Sequence, residues 1–574
     1  MRKDLSYAIV AIFTMFFSGC NYYQPEEKKT SVSPIEGLTP TEETLNVTDV
    51  NFPKKTLAIS PGERQKLDFE TDSGKTITLN NLSNNTVYLV KVNHSAVAVN
   101  APSTGGHIHA DNERSVSDTI PKDAEDGAAY ETEFVLNNET FTRTEHRPAQ
   151  EFNRNPRLTS SSARIVVPTL ATLAQVGDIK QFWVQNENDK WIQIDATLRA
   201  TSVHSNVWVS ADNFRDSSWT SYDNKITIKQ AQEMADKFDI IYEKETPLFG
   251  YEFGGGLKPT DVNYGGIDGD VKVQILIYDI NYDYSPSQNH GTFGYFWGKD
   301  YYDSGYHSNS AEMFYIDAHF TDAASDGAYS TLAHEFQHMI NFNEKNLKKR
   351  ETSMTWFDEM LSQIAEDVVG WFIGINIASA DHPVNVRIPR FLASYWKSGA
   401  TTWLDTDFDV SMNSYANTYA FGAYLVRNFG GATLIKDIME NDFGNIAAIN
   451  VALKKQGSSF QDALAQYGEA LVFSDDAHGS FNKTVTQTVN GVAYSFTGFN
   501  LWNIRNYSAN QYYGNTFIYP AKGPVVIDTG FISTMEPYSI LVQSCANWKN
   551  VSGTLSFELQ KPESSEIDFY IIVK

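Results

Sequence analysis

His334-Glu335-Phe336-Gln337-His338-Met339-Ile340-Asn341-Phe342, followed by Trp356-Phe357-Asp358-Glu359-Met360-Leu361-Ser362-Gln363-Ile364-Ala365-Glu366-Asp367, is the stretch on which the reading of the chain turns. Tyr329, Leu332, Phe336, Met339 and Ile340 recur at helical spacing and predict a buried helix over about 328–343. On it His334 and His338 stand four positions apart, so both imidazoles leave one face and can hold one ion. A pattern this short also arises by chance, and the second segment gives it weight. Phe357, Met360, Leu361, Ile364 and Val368 predict another amphipathic helix over about 354–372, with Glu359 off its apolar stripe. Glu359 follows His338 by 21 positions, room for the chain to reverse and set a carboxylate beside two imidazoles. A lone glutamate usually faces solvent, but two histidines and a glutamate make a zinc site with one position left for water. Glu366, and equally Ser362 and Gln363, are placed to orient a ligand histidine from behind.

Around these helices the pattern mixes strands and helices. Strand-like runs at 181–184, 191–194, 207–209, 271–278 and 313–316 alternate with helical spacing at 228–242 and 417–429. The mixed block is expected over 176–475. Upstream, 55–175 carries short alternating runs such as 86–92 and 164–167 between Asn, Gly and Ser clusters, and reads as a β-rich N-terminal module. Within it, 142–157 is polar, contains arginines and has no period, as an exposed loop or a processing site does. Downstream, 476–574, with runs at 492–496, 524–527, 538–542 and 569–573, reads as a C-terminal β-sandwich.

HEFQHMINF followed by WFDEMLSQIAED resembles the hyicolysin family of bacterial zinc metallopeptidases, and the likeness covers the mixed block. The resemblance implies a multidomain α+β protein whose catalytic domain, 176–475, is gluzincin-like (thermolysin-like) and holds one zinc. It implies His334, His338 and Glu359 as zinc ligands, and Glu335 as the base acting on a zinc-activated water. Tyr419-Ala420-Phe421-Gly422 is similar to the Tyr-x-x-Gly segment that supplies an oxyanion phenol in related aminopeptidases, which favours Tyr419 over Tyr415. The Gly-x-Met-Glu-Asn stretch of the aminopeptidases is absent, so an endopeptidase acting on proteins or peptides is expected. The strand at 311–318 is a candidate edge for pairing with an extended substrate.

The N-terminus reads as an export signal over 1–19: Arg2 and Lys3, an apolar run from Tyr7 to Phe17, then Ser18-Gly19. Phe17-Ser18-Gly19-Cys20 resembles a bacterial lipoprotein box, with Phe17 where leucine is usual, so Cys20 is the expected lipidation site. The Pro-, Thr-, Glu- and Ser-rich stretch 20–54 reads as a flexible tether. The protein is then expected outside the cytoplasm, lipid-anchored to a bacterial cell membrane or outer membrane. Only Cys545 accompanies Cys20, so no internal disulfide is expected. A net charge of −25 over 574 residues argues against nucleic acid, which needs a basic stripe.

Other constellations are weaker. His107-Ile108-His109 lacks a third ligand, and Gly254-Gly255-Gly256 lacks the Lys-Ser/Thr of a phosphate loop. Asp268-Gly269-Asp270, with Asp279 and Asp283, has the carboxylate density of a calcium loop without the spacing of an EF-hand, so calcium is a secondary candidate. The rival readings are a surface-anchored adhesin or binding lipoprotein with an inactive or accessory peptidase domain, and a metal-dependent hydrolase of non-peptide substrates. An intact Glu335 argues against inactivity.

Overall fold

The computed structural model describes residues 52–101, 131–154 (apart from 137, 138 and 145), 173–216, 223–286, 290–302, 307–404 (apart from 324), 408–474, 480–507, 523–529 (apart from 528) and 533–574 (apart from 563). Cys20, nearly all of the tether, the run at 164–167 and the pair His107 and His109 lie outside the described residues.

In chain order the first elements are β1 (Lys54–Leu57), β2 (Arg64–Lys66), β3 (Gly74–Asn85), β4 (Val87–Asn93), β5 (Val99–Ala101), β6 (Glu131–Leu136), β7 (Glu139–Thr144) and α1 (Arg147–Arg154). Then come β8 (Ile179–Gln185), β9 (Trp191–Thr201), β10 (Ser205–Ser210), α2 (Ile228–Phe249), β11 (Val273–Tyr278), β12 (His290–Thr292), β13 (Gly294–Phe296) and β14 (Met313–Asp317). A helical run follows: α3 (Ala318–Ala323), α4 (Ser325–Asn341), α5 (Thr355–Ile373), α6 (Pro383–Ser394), α7 (Phe408–Asn428), α8 (Gly431–Glu440), α9 (Ile446–Lys455) and α10 (Phe460–Phe473). The last strands are β15 (Val485–Val489), β16 (Val492–Phe496), β17 (Ser533–Met535), β18 (Ile540–Gln543), β19 (Val551–Gln560) and β20 (Ile567–Val573).

The site hangs on a six-stranded sheet of order β13-β14-β11-β10-β9-β8. Neighbours β10, β11 and β14 run parallel, and the remaining pairs are antiparallel. Val273–Tyr278 is buried throughout, as a run apolar on both faces requires. Ile275 and Ile277 face the helical core, while Leu276 and Tyr278 join an aromatic cluster with Trp208, Tyr295 and Tyr315 on the opposite face. Helix α4 packs on the first face, where Phe336 meets Phe238 of α2 edge-on at 5.0 Å between ring centroids. It continues into a π-helical turn, Phe342–Leu347. Here Lys345 Nζ donates to the carbonyls of Ile438 and Asn441, both at 2.8 Å, and ties the turn to the end of α8.

Three expectations change. The strand containing 313–317 is not an edge: β14 is paired on both sides, and the sheet edge beside it is β13. Residues 142–157 are not simply an exposed loop: β7 pairs in parallel with β12, and Arg147–Arg154 is helical with Ala149 buried. The N-terminal module and the C-terminal sandwich were expected apart, yet their strands interleave. β3 lies between β1 and β19, and β4 lies between β18 and β20, with β2 beyond. These two sheets enclose one core containing Ile77, Leu79, Leu89, Trp548, Phe569 and Ile571. The outer face of the β4 sheet, Val90, Val92 and Ile572, belongs instead to the main helical core. Alternation along each strand marked its buried face, but strand pairing across several hundred residues leaves no local trace. Among the described residues, no helix is long and apolar enough to cross a membrane.

Helices α5 and α7 approach closely at Gly422, where a Cβ atom would stand 2.8 Å from Met360 Cγ and 3.0 Å from Ile364 Cγ1. Gly422→Val should therefore force the helices apart and destabilise the protein by about 1–3 kcal/mol, read as a lower denaturant midpoint.

Candidate metal centre

Helices α4 and α5 lie antiparallel. Ser330 and His334 meet Glu366, whereas His338 and Asn341 meet Asp358 farther back along α5. This crossing carries Glu359 to the histidine pair. His334 Nε2 lies 3.3 Å and His338 Nε2 3.7 Å from Glu359 Oε2. Ligands around a tetrahedral zinc with bonds near 2.0–2.1 Å stand about 3.3 Å apart, so the spacing from Glu359 to each imidazole suits that ion, and all three donor atoms lie within 4.8 Å of one another. All three residues are buried, and among the described residues this is the one group of His, Cys, Asp and Glu side chains that converges closely enough to hold a metal.

Each imidazole is oriented from behind. His334 Nδ1 lies 2.6 Å from Glu366 Oε1, and Ser330 Oγ donates to Glu366 Oε2 at 2.7 Å. A proton on Nδ1, donated to this carboxylate, leaves Nε2 with its lone pair toward Glu359. His338 Nδ1 lies 3.0 Å from Asp358 Oδ2 and 3.0 Å from Ser362 Oγ. Asp358 is held in turn by Asn341 Nδ2 at 2.7 Å. Glu366 and Ser362 thus stand where the sequence put them, but Asp358 was overlooked. Its signal was its position directly before Glu359, one turn ahead of Ser362. Gln363 does not reach a histidine: its Nε2 donates to Glu359 O and Thr418 Oγ1, linking α5 to α7.

Glu335 lines a cavity together with His338, Asp358 and Glu359. It is 2% exposed, so a carboxylate there works largely out of bulk water. The two tyrosines separate. Tyr419 OH donates to Asp367 at 3.0 Å, in a buried cluster with Arg427 and His382. Burial, then Asp367, raises the Tyr419 phenol well above its usual range. Tyr415, one turn earlier, has its OH 3.2 Å from Gln150 Nε2, and the same nitrogen donates to Glu359 Oε1 at 2.7 Å. Of the two phenols, Tyr415 is thus the one linked to Glu359, through the shared Gln150 amide. Helical spacing could not choose between residues four apart on one face.

The calcium candidates do not assemble. Asp270 Oδ2 accepts from Asn206 Nδ2 at 2.9 Å, and Asp268 Oδ1 accepts from the Asp270 amide at 2.9 Å. They do not converge with Asp279 and Asp283 on a common point.

A mixed sheet with a His2Glu cluster between two antiparallel helices gives three donors that could hold one metal ion, the class of site in which a fourth position is left for water. Residues 190–484, just over half of the chain, match the family model described as peptidase M30, and the chain belongs to that family. It is also 31% identical over 297 residues to the neutral metalloprotease ShpI of Staphylococcus hyicus. The match spans 49% of this chain and 59% of that relative. The resemblance read from the two helical segments is thereby borne out.

Burial works against a charge on His338, but Asp358 and then Glu359 outweigh it and raise its pKa to about 10 in the absence of a cation. Metal ligation needs the neutral imidazole, so binding displaces this proton at any pH below that value. Zinc affinity should rise about tenfold per pH unit through the neutral range on account of this residue, read by chelator competition at several pH values. By the same measurement, Glu366→Ala should weaken zinc binding about 10–100-fold.

Proposed function

We propose that the protein is a zinc-dependent endopeptidase of extracellular proteins or peptides. The observation that carries this reading is the convergence of His334, His338 and Glu359 beside the buried carboxylate of Glu335, in a chain of the peptidase M30 family. Zinc bound there would lower the pKa of a water and polarise the scissile carbonyl. Glu335 takes the proton from the attacking water and returns it to the leaving amine. Glu366 and Asp358 hold the two imidazoles in the ligating tautomer. Tyr415, in place of Tyr419, donates to the developing oxyanion. The outer edge of β13, whose Tyr295 and Phe296 line the same cavity, is the one against which an extended substrate backbone pairs. A gluzincin-like (thermolysin-like) catalytic domain is part of this reading, supported by the two histidines and one glutamate of the cluster. The absence of a Gly-x-Met-Glu-Asn stretch favours cleavage within chains over removal of end residues.

Location follows from the N-terminal reading: export, and a lipid anchor on Cys20. An adhesin with an inactive peptidase domain has no observation in its favour that the peptidase reading lacks.

Glu335→Gln should keep about one zinc per chain and lose about 10²–10⁴-fold in casein cleavage, whereas unchanged cleavage would remove Glu335 as the base. Tyr415→Phe should lower kcat by about 10²–10³-fold with zinc retained. Tyr419→Phe should act through stability and leave kcat within a few-fold. Palmitate labelling in the native host should disappear in Cys20→Ser, and persistence would refute the anchor.

A further inference from the structure

Helix α1 precedes the catalytic block in sequence, yet its side chains meet the candidate site at several points. Gln150 Nε2 donates to the ligand carboxylate Glu359 Oε1 at 2.7 Å and to Tyr415 OH at 3.2 Å. One turn on, Asn153 Nδ2 donates to Phe296 O at 2.8 Å, and Asn153 Oδ1 accepts from the Gly298 amide at 2.6 Å. A single side-chain amide thus takes the last carbonyl of β13, a group that an added strand would take, and an N–H of the turn that follows. At the start of the helix, His146 stacks on Tyr295 with centroids 4.0 Å apart. Just upstream, β7 pairs in parallel with β12, the strand that directly precedes β13 in the chain.

The remaining space is small. His146, Ala149, Gln150, Asn153 and Arg154 form one wall of the cavity whose other wall holds Glu335, His338 and Glu359, and about 30 Å³ lies between them. That is room for about two waters, and no peptide unit fits.

The helix is also short: its eight residues make two turns, too few to persist without what they dock on, with Ala149 buried and Phe152 part-buried edge-on to Tyr302. Its polar contacts are ones that a substrate backbone or water can take over at small net cost.

We propose that residues 146–154 are an internal plug: the chain lays its own peptide over the metal centre and the substrate-pairing edge, and α1 must leave before a substrate enters. The inference rests on the endopeptidase reading of the site. Gln150 stands at the ligand carboxylate and phenol where a substrate carbonyl is to be received, and Asn153 stands in for the substrate backbone.

The test uses the full chain loaded with cobalt(II), whose visible bands report ligands entering the site. Acetohydroxamate is titrated into wild type, Gln150→Ala/Asn153→Ala and Ala149→Asp. The last variant leaves the polar contacts intact but puts a carboxylate into the aromatic cluster, and circular dichroism checks that each variant is folded. A plug docked nine-tenths of the time lowers apparent affinity about tenfold, so both variants should bind hydroxamate about tenfold more tightly than wild type. They should also cleave a quenched fluorescent peptide with about tenfold higher kcat/KM. Equal hydroxamate binding in all three proteins would overturn the plug, as would weaker binding in the variants, which would make α1 a working wall of the cleft. Tighter hydroxamate binding without cleavage by any form would keep the plug and overturn the peptidase reading. A wild type that takes up no cobalt would overturn both.

Discussion

The structure depends on keeping two imidazoles and a carboxylate together in a dry interior. Charge removed from water is tolerated only where it is paired and hydrogen-bonded. Helices α4 and α5 meet this by crossing antiparallel, so that each polar group on one finds its complement on the other. His334 has Glu366, which has Ser330; His338 has Asp358, which has Asn341; Gln337 has Ser362. Slippage by one residue along either helix breaks every pair at once. The register that satisfies these groups is the same one that carries Glu359 to the histidines.

The remaining layers hold that crossing in place. Strands β13 and β14 give α4 an apolar seat that includes Phe296, Phe314 and Ile316, while α2 packs over β9 and β10. Gly422 lets α7 come close enough to α5 that Tyr415 reaches the neighbourhood of Glu359 through Gln150, while Tyr419 serves the Asp367–Arg427 pair. A buried Arg427 with no exposed surface needs that carboxylate, and Tyr419 supplies one of the donors that fix it. The terminal strands add a second core, joined to the first through the two-faced strand β4.

An uncovered sheet edge is both a hazard and a binding surface. At β13 one edge is closed by β14, and on the opposite edge the amide of Asn153 takes the Phe296 carbonyl, while His146 stacks on the Tyr295 ring. The edge is thus blunted by side chains rather than by another strand. Such a cover protects the backbone groups without committing them to a permanent ladder.

Much was legible in the chain because it is local. The four-residue spacing of His334 and His338, the stripe of Phe357, Met360, Leu361 and Ile364, and the offset of Glu359 from that stripe are properties of single helices. They predicted both helices and the ligand set that the structure brings together. Helical period alone could not rank Tyr415 against Tyr419, since both sit on one face and only the approach of α1 and α5 distinguishes them. Nor could it place 142–157, whose helix is polar and short and is shaped by what it docks on. The pairing of β3 with β19 and of β4 with β20 was hidden as well, because alternation says which side of a strand is buried and not which strand lies beside it. The sequence by itself determined which donor side chains could meet, since residue type and helical spacing are written residue by residue. Only the tertiary structure decided which strand forms the sheet edge and what covers the centre, because those follow from contacts between segments far apart in the chain.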